Sequence, residues 1–188
     1  MRDAERWAGG FSRAAVGGSS GPRWPSVAVT VEPDAGPALP VRYRWDADTE
    51  ILIASIADGR GGGWPSTVVT IEGSTGAWVT LELRGGRFCG LEVAVWPPVR
   101  LRPLLHVPRP ARSGHARCPA TPGAAEVGVD AELVAERDAG GRTVWLGVGP
   151  QRLARPLRVA RDILLDVDDA GTLAGVWLLN VPPLPLLA

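Results

Sequence analysis

Few residues of this chain have the type and spacing that chemistry needs. His106, His115 and Cys118 are the only clustered soft ligands. Their His-x8-His-x2-Cys spacing lacks the two close ligand pairs of a structural zinc site, so no metal is expected. Asp166-x-Asp168-Asp169-x-Gly171 holds part of a calcium loop without its regular spacing or late bidentate Glu, and reads better as a hairpin turn. Asp46, Asp48 and Glu50 precede an apolar run, and Glu92 lies inside another. Carboxylates do acid–base work when burial separates their pKa values, which makes Glu92 and Asp46 the candidate catalytic residues. Gly17-Gly-Ser-Ser-Gly21 has the letters of a nucleophile elbow, but it sits in a Gly/Ser-rich tail before Pro22 without the strand and helix that make the elbow. Arg152, Arg155, Arg158 and Arg161 recur every third residue. Pro156 excludes one helical stripe, and on a strand that period scatters charge to both faces.

All 20 strong bases are Arg. Without Lys there is no Schiff base, no pyridoxal phosphate anchor and no Walker-type phosphate loop, and no cofactor is expected. Aromatic residues offer binding instead. There are eight tryptophans, and Trp45, Trp78, Trp96, Trp145 and Trp177 fall on or beside strand candidates. Such positions build a core or, where uncovered, anchor a ligand or partner.

The elements that position these residues are short strands. Val27–Glu32, Val41–Trp45, Ile51–Ile56, Val68–Glu72, Trp78–Leu83 and Leu91–Trp96 are rich in β-branched residues and bounded by Gly, Pro or Asp. Self-similarity organises them at two levels. Trp24–Gly36 matches Trp64–Gly76 at seven of 13 positions. Leu81–Pro98 resembles Leu165–Pro183 with one extra residue in the second turn, and Asp46–Ile53 answers to Asp138–Trp145. The expectation is an all-β fold of internally duplicated antiparallel hairpins or meanders, forming a β-sandwich or closed barrel. Its expected divisions are a loose N-terminal segment (1–22), a first half (23–105), a Pro/Arg-rich linker (106–125), and a second half with an apolar tail (126–188).

Residues Trp45-Asp-Ala-Asp-Thr-Glu50-Ile-Leu52-Ile-Ala54 resemble the opening motif of a short bacterial family, the domain of unknown function number twenty-two eighty-three. Gly86-Arg-Phe-Cys-Gly90-Leu-Glu92-Val is similar to its closing motif, and Asp168-Asp-Ala-Gly171-Thr-Leu-Ala-Gly175-Val repeats it with Trp177 in place of the Glu. The resemblance implies a short β-meander module present in two degenerate copies. Because genes of that family can neighbour small toxin-like genes, it also implies an antitoxin-like partner role.

Formal net charge is zero, so no global field draws the chain to nucleic acid or an acidic membrane, and neither partner is expected. The charged start, Arg2-Asp-Ala-Glu-Arg6, has no apolar signal region, and no apolar run is long enough to span a bilayer. Those features and the scarce cysteines point to the cytoplasm, and the Ala/Gly/Pro/Arg bias points to a GC-rich bacterial genome. The expected function is a non-catalytic binding or interaction module for a homo-oligomer, a protein partner or an apolar small molecule. A cavity-based cyclase or isomerase and a structural assembly protein are the alternatives.

Overall fold

β-branched runs set off by turn residues become strands throughout. The computed structural model describes residues 22–34, 36–57, 65–119 and 124–184. Most of the expected N-terminal segment, with Gly17–Gly21, lies outside these residues, as do Trp64 and the last four residues of the apolar tail. Among the described residues fifteen strands form: β1 (Arg23–Trp24), β2 (Thr30–Pro33), β3 (Val41–Asp46), β4 (Ile51–Ile56), β5 (Ser66–Glu72), β6 (Trp78–Arg84), β7 (Arg87–Val95), β8 (Val99–Arg102), β9 (Arg112–Arg117), β10 (Glu126–Asp130), β11 (Leu133–Asp138), β12 (Val144–Val148), β13 (Ala154–Ala160), β14 (Ile163–Asp168) and β15 (Leu173–Leu178). No helix occurs among the described residues, so the fold is all-β. In β6 every second residue is buried, the mark of a strand with one face on the core.

Two antiparallel groups of five strands have the same order. The first runs β3-β4-β7-β6-β5. The second runs β11-β12-β15-β14-β13. Leu81–Pro98 and Leu165–Pro183, matched in sequence, supply β6–β7 and β14–β15, which hold corresponding places. Glu82 lies opposite Gly90 as Asp166 lies opposite Gly175, and Ile53 opposite Glu92 as Trp145 opposite Trp177. Gly90 and Gly175 also share one steric reason. A Cβ on Gly90 would lie 2.5 Å from the Ala54 carbonyl oxygen, and one on Gly175 3.0 Å from that of Leu146. The match of Trp24–Gly36 to Trp64–Gly76 has no such counterpart, because β2 pairs with β9 whereas β5 pairs with β6 and β10.

The segment between the groups laces them together. β8 leaves the first group and lies parallel to β11 in the second. β9 pairs with β13 at its start and with β7 at its end. β10 then returns to the first group, parallel to β5, and β1 adds to it. Residues 106–125, read from composition as a linker, therefore include β9. Buried side chains of both groups, among them Leu52, Ile71, Leu81, Leu146, Ile163 and Leu178, belong to one core cluster.

Candidate functional site

The second group carries a polar–aromatic cluster in which two indoles share one carboxylate. Neighbours β12, β15 and β14 place Trp145, Trp177 and Leu164 in one row, with Gly147, Gly175 and Asp166 in the next. Both rows face away from the core side chains Leu146, Val176 and Leu165 by strand alternation. The two glycines leave room for the Trp145 ring: a Cβ on Gly147 would lie 2.7 Å from its Cη2, and one on Gly175 2.7 Å from its Nε1. Trp145 and Trp177 have ring centroids 6.3 Å apart, tilted by 47°. Their Nε1–H groups donate to the same oxygen, Asp166 Oδ2, at 3.0 and 2.8 Å. Trp177 and Leu164 are 8% and 0% exposed, although neither belongs to the shared core cluster.

The corresponding positions of the first group hold different chemistry. Glu92 replaces Trp177, and Ile53 replaces Trp145. Burial pushes the Glu92 carboxyl up, against the pull of the Arg44 guanidinium. Glu82, the counterpart of Asp166, instead holds Arg84 at 3.0 Å. Asp46 serves the β3–β4 turn, its Oδ1 accepting the Asp48 N–H at 3.2 Å. The strands therefore do not bring the two candidate catalytic carboxylates together, since Asp46 is at the end of β3 and Glu92 is inside β7. Trp45 and Trp96 stack with centroids 5.9 Å apart. Trp45 Nε1–H donates to Pro182 O, and Trp96 Nε1–H to Glu50 O, a residue with φ of 56°. Trp78 is half-buried on β6, opposite Val95 of β7, and is in neither ring pair.

A third cluster lies where β2, β7 and β9 meet. His115 Nε2 faces Asp34 Oδ2 at 2.7 Å, and its Nδ1 lies 2.6 Å from an Arg87 terminal nitrogen. The tautomer with Nε2–H toward the carboxylate and Nδ1 accepting from Arg87 satisfies all three groups. Cys89 Sγ donates to Arg87 O at 3.4 Å. A depression here is lined by Ile56, Arg87, Phe88, Cys89, His115 and Val159 among others.

The remaining candidates disperse. His106 is exposed between β8 and β9, whereas Cys118 is buried and its thiol is pushed up to about 12 by that burial. Among the described residues no group of three or more His, Cys, Asp or Glu is placed to hold a metal ion. Arg152 and Arg155 pair with Asp168 at 2.8 Å and Asp169 at 3.1 Å, and Arg158 donates to Arg161 O. Asp168 also closes the β14–β15 turn, its Oδ1 accepting the N–H groups of Ala170 and Thr172. Sequence reasoning missed Asp166 as the anchor of both indoles and Asp34 as the partner of His115. The first was signalled by the alignment of Asp166 with Glu82; nothing local signalled the second. No helix among the described residues is long and apolar enough to cross a membrane. No family model and no curated protein matches the chain.

Proposed function

We propose that this protein is a non-catalytic interaction module, a duplicated five-strand unit closed face to face as a sandwich, that binds an extended polypeptide along the edge of β8. The observation that carries the reading is the state of β8. It ends the hydrogen-bonded path of strands among the described residues, and all four of its residues are exposed. Val99 and Leu101 within it are exposed apolar side chains, Leu101 at 66%, and Leu104 just beyond it is exposed too. A strand with one open edge is a template for β-augmentation, in which main-chain bonds supply affinity and alternate side chains supply selectivity.

The side chains define the occupant. Val99 shares a face with Ala135 of the core, and Leu101 follows it; Arg100 and Arg102 take the other face, where Arg102 meets Glu136. A second copy fits poorly, because each antiparallel register that pairs Leu101 with Val99 or Leu101 of its partner sets Arg100 against Arg100 or Arg102. A strand alternating apolar and acidic residues complements both faces. Peptides selected from a random display library on the full chain should show that alternation and lose binding to Leu101→Asp, a substitution exposed enough to leave stability within about 0.5 kcal/mol. Failure to enrich such peptides, or enrichment indifferent to Leu101→Asp, refutes the reading.

A further inference from the structure

Pro103–Ala111 must join opposite edges of the second group. β8 lies outside β11 and β9 outside β13, six strand spacings apart. At ~4.8 Å per spacing that is about 29 Å. Arg102 sits beside Asp138, whereas Arg112 sits beside Leu157, whose row continues through Leu165, Val176 and Leu146 to Ala135. The connection therefore also descends by three residues, about 10 Å, making a straight line of about 31 Å. From Arg102 to Arg112 there are ten steps, which in a polyproline II conformation at ~3.1 Å each reach about 31 Å. Even fully extended, at ~3.3–3.6 Å per residue, ten steps reach only about 33–36 Å, which leaves a few Å for any detour around the sheet end, and the inner face is filled by the core.

The direct path crosses the outer row Glu136, Trp145, Trp177, Leu164 and Arg158. A cover there accounts for the near-complete burial of Trp177 and Leu164 outside the core. The exposure of the connection fits as well: Leu105 and Pro108, three apart, are half-buried along with Pro110, while Leu104, His106, Val107 and Arg109 are exposed. Three residues is the polyproline II repeat. At the far end Ala111 N–H is tied to Pro156 O.

We propose that this aromatic row is a polyproline-recognition surface, occupied in cis by residues 103–111 of the same chain. Flat indoles over glycines, with their N–H groups fixed by Asp166, form the apolar trough in which proline rings pack, and the fixed conformation of the segment keeps the entropy cost of docking low. The surface is separate from the β8 edge, and the two readings stand or fall independently. In the full chain, p-benzoylphenylalanine at position 105 should photo-crosslink to the segments holding Trp145, Leu164 or Trp177; crosslinks to other segments alone would overturn the proposal. Leu105→Asp with Pro108→Asp should red-shift tryptophan emission and raise acrylamide quenching, whereas the outward Val107→Asp should do neither. A synthetic peptide of residues 102–112 should bind the double variant, reverse both changes, and bind about tenfold more weakly or worse when Trp145 is also changed to Ala. A peptide that fails to bind, or binds regardless of Trp145, rules out recognition.

Discussion

Replacing Asp166 tests whether the Trp145–Trp177 pair is organised by one carboxylate. Its Oδ2 accepts two indole N–H groups at 3.0 and 2.8 Å, both partly shielded from water. A hydrogen bond to a charged acceptor contributes about 1.5–3 kcal/mol when buried, and the half-buried setting argues for the lower half of that range. Asp166→Ala leaves both donors without an acceptor and should cost about 3–4 kcal/mol. Asp166→Asn keeps one carbonyl oxygen in place and loses only the charge, so about 1–2 kcal/mol is expected. Urea unfolding followed by far-UV circular dichroism measures both. Trp145→Phe and Trp177→Phe complete the cycle: each should cost less in the Asp166→Ala background than in the parent, because the shared acceptor is already gone. A loss below about 0.5 kcal/mol for Asp166→Ala, or additive Phe substitutions, would show that the carboxylate does not hold the pair.

Other perturbations probe the frame around that pair. Gly90→Ala and Gly175→Ala should each destabilise by about 1–3 kcal/mol or more, since the new Cβ meets a backbone oxygen of the neighbouring strand that cannot swing aside; equal stability in thermal melts would refute the shared constraint. Glu92 carries a raised pKa because burial disfavours its charge, so its native carboxyl holds a proton at pH values where the unfolded one has lost it. Acidification should therefore add stability through that interval, and Glu92→Gln should raise stability at pH 7 and abolish the gain, read from urea midpoints between pH 4 and pH 7. Cys118 is pushed from 9.0 to about 12, so the unfolded thiol ionises first as pH rises. Stability should fall above about pH 9, by up to ~1.4 kcal/mol per unit, and Cys118→Ala should flatten that part of the profile.

The strand content and the hairpin turns were legible because they are local. Alternation in Thr80-Leu-Glu-Leu and the acids at Asp46 and Asp168 depend on a few neighbouring residues, and those residues carry the turn and the burial pattern. Gly90 and Gly175, aligned between Leu81–Pro98 and Leu165–Pro183, each face a carbonyl oxygen of the neighbouring strand closely enough to crowd a Cβ. What the residues hid was exchange between segments distant in the chain. Pro and Arg made 106–125 read as a linker, yet β9 pairs with strands of both groups, and the rest of the connection carries no local sign of where it lies. The tryptophans were legible as a set and not as individuals. Trp145 and Trp177 meet at Asp166, Trp45 and Trp96 stack elsewhere, and Trp78 joins neither pair, because partner choice depends on register between strands far apart in sequence.

That exchange makes a prediction about folding units. Each group completes its sheet with a strand from across the chain: β8 precedes the second half yet extends it, and β10 follows the first half yet extends that one. The core is likewise shared, so a fragment of residues 106–188 would expose Leu146, Ile163, Leu165 and Leu178 on one face and lose β8 from its edge. A fragment of residues 22–105 would lose β9 and β10 and uncover Leu52, Ile71, Leu81 and Leu91. Burying a Leu or Ile stabilises by about 1.5–3 kcal/mol, so four such side chains per fragment exceed the whole stability of a domain, about 5–15 kcal/mol, at the lower end of that range. Neither fragment should unfold cooperatively alone, and the two mixed in equal amounts should recover one cooperative transition. A sharp calorimetric transition from 106–188 alone would mean that the second group is an independent domain and that the lacing is decoration; recovery only on mixing would place the unit of stability in the pair.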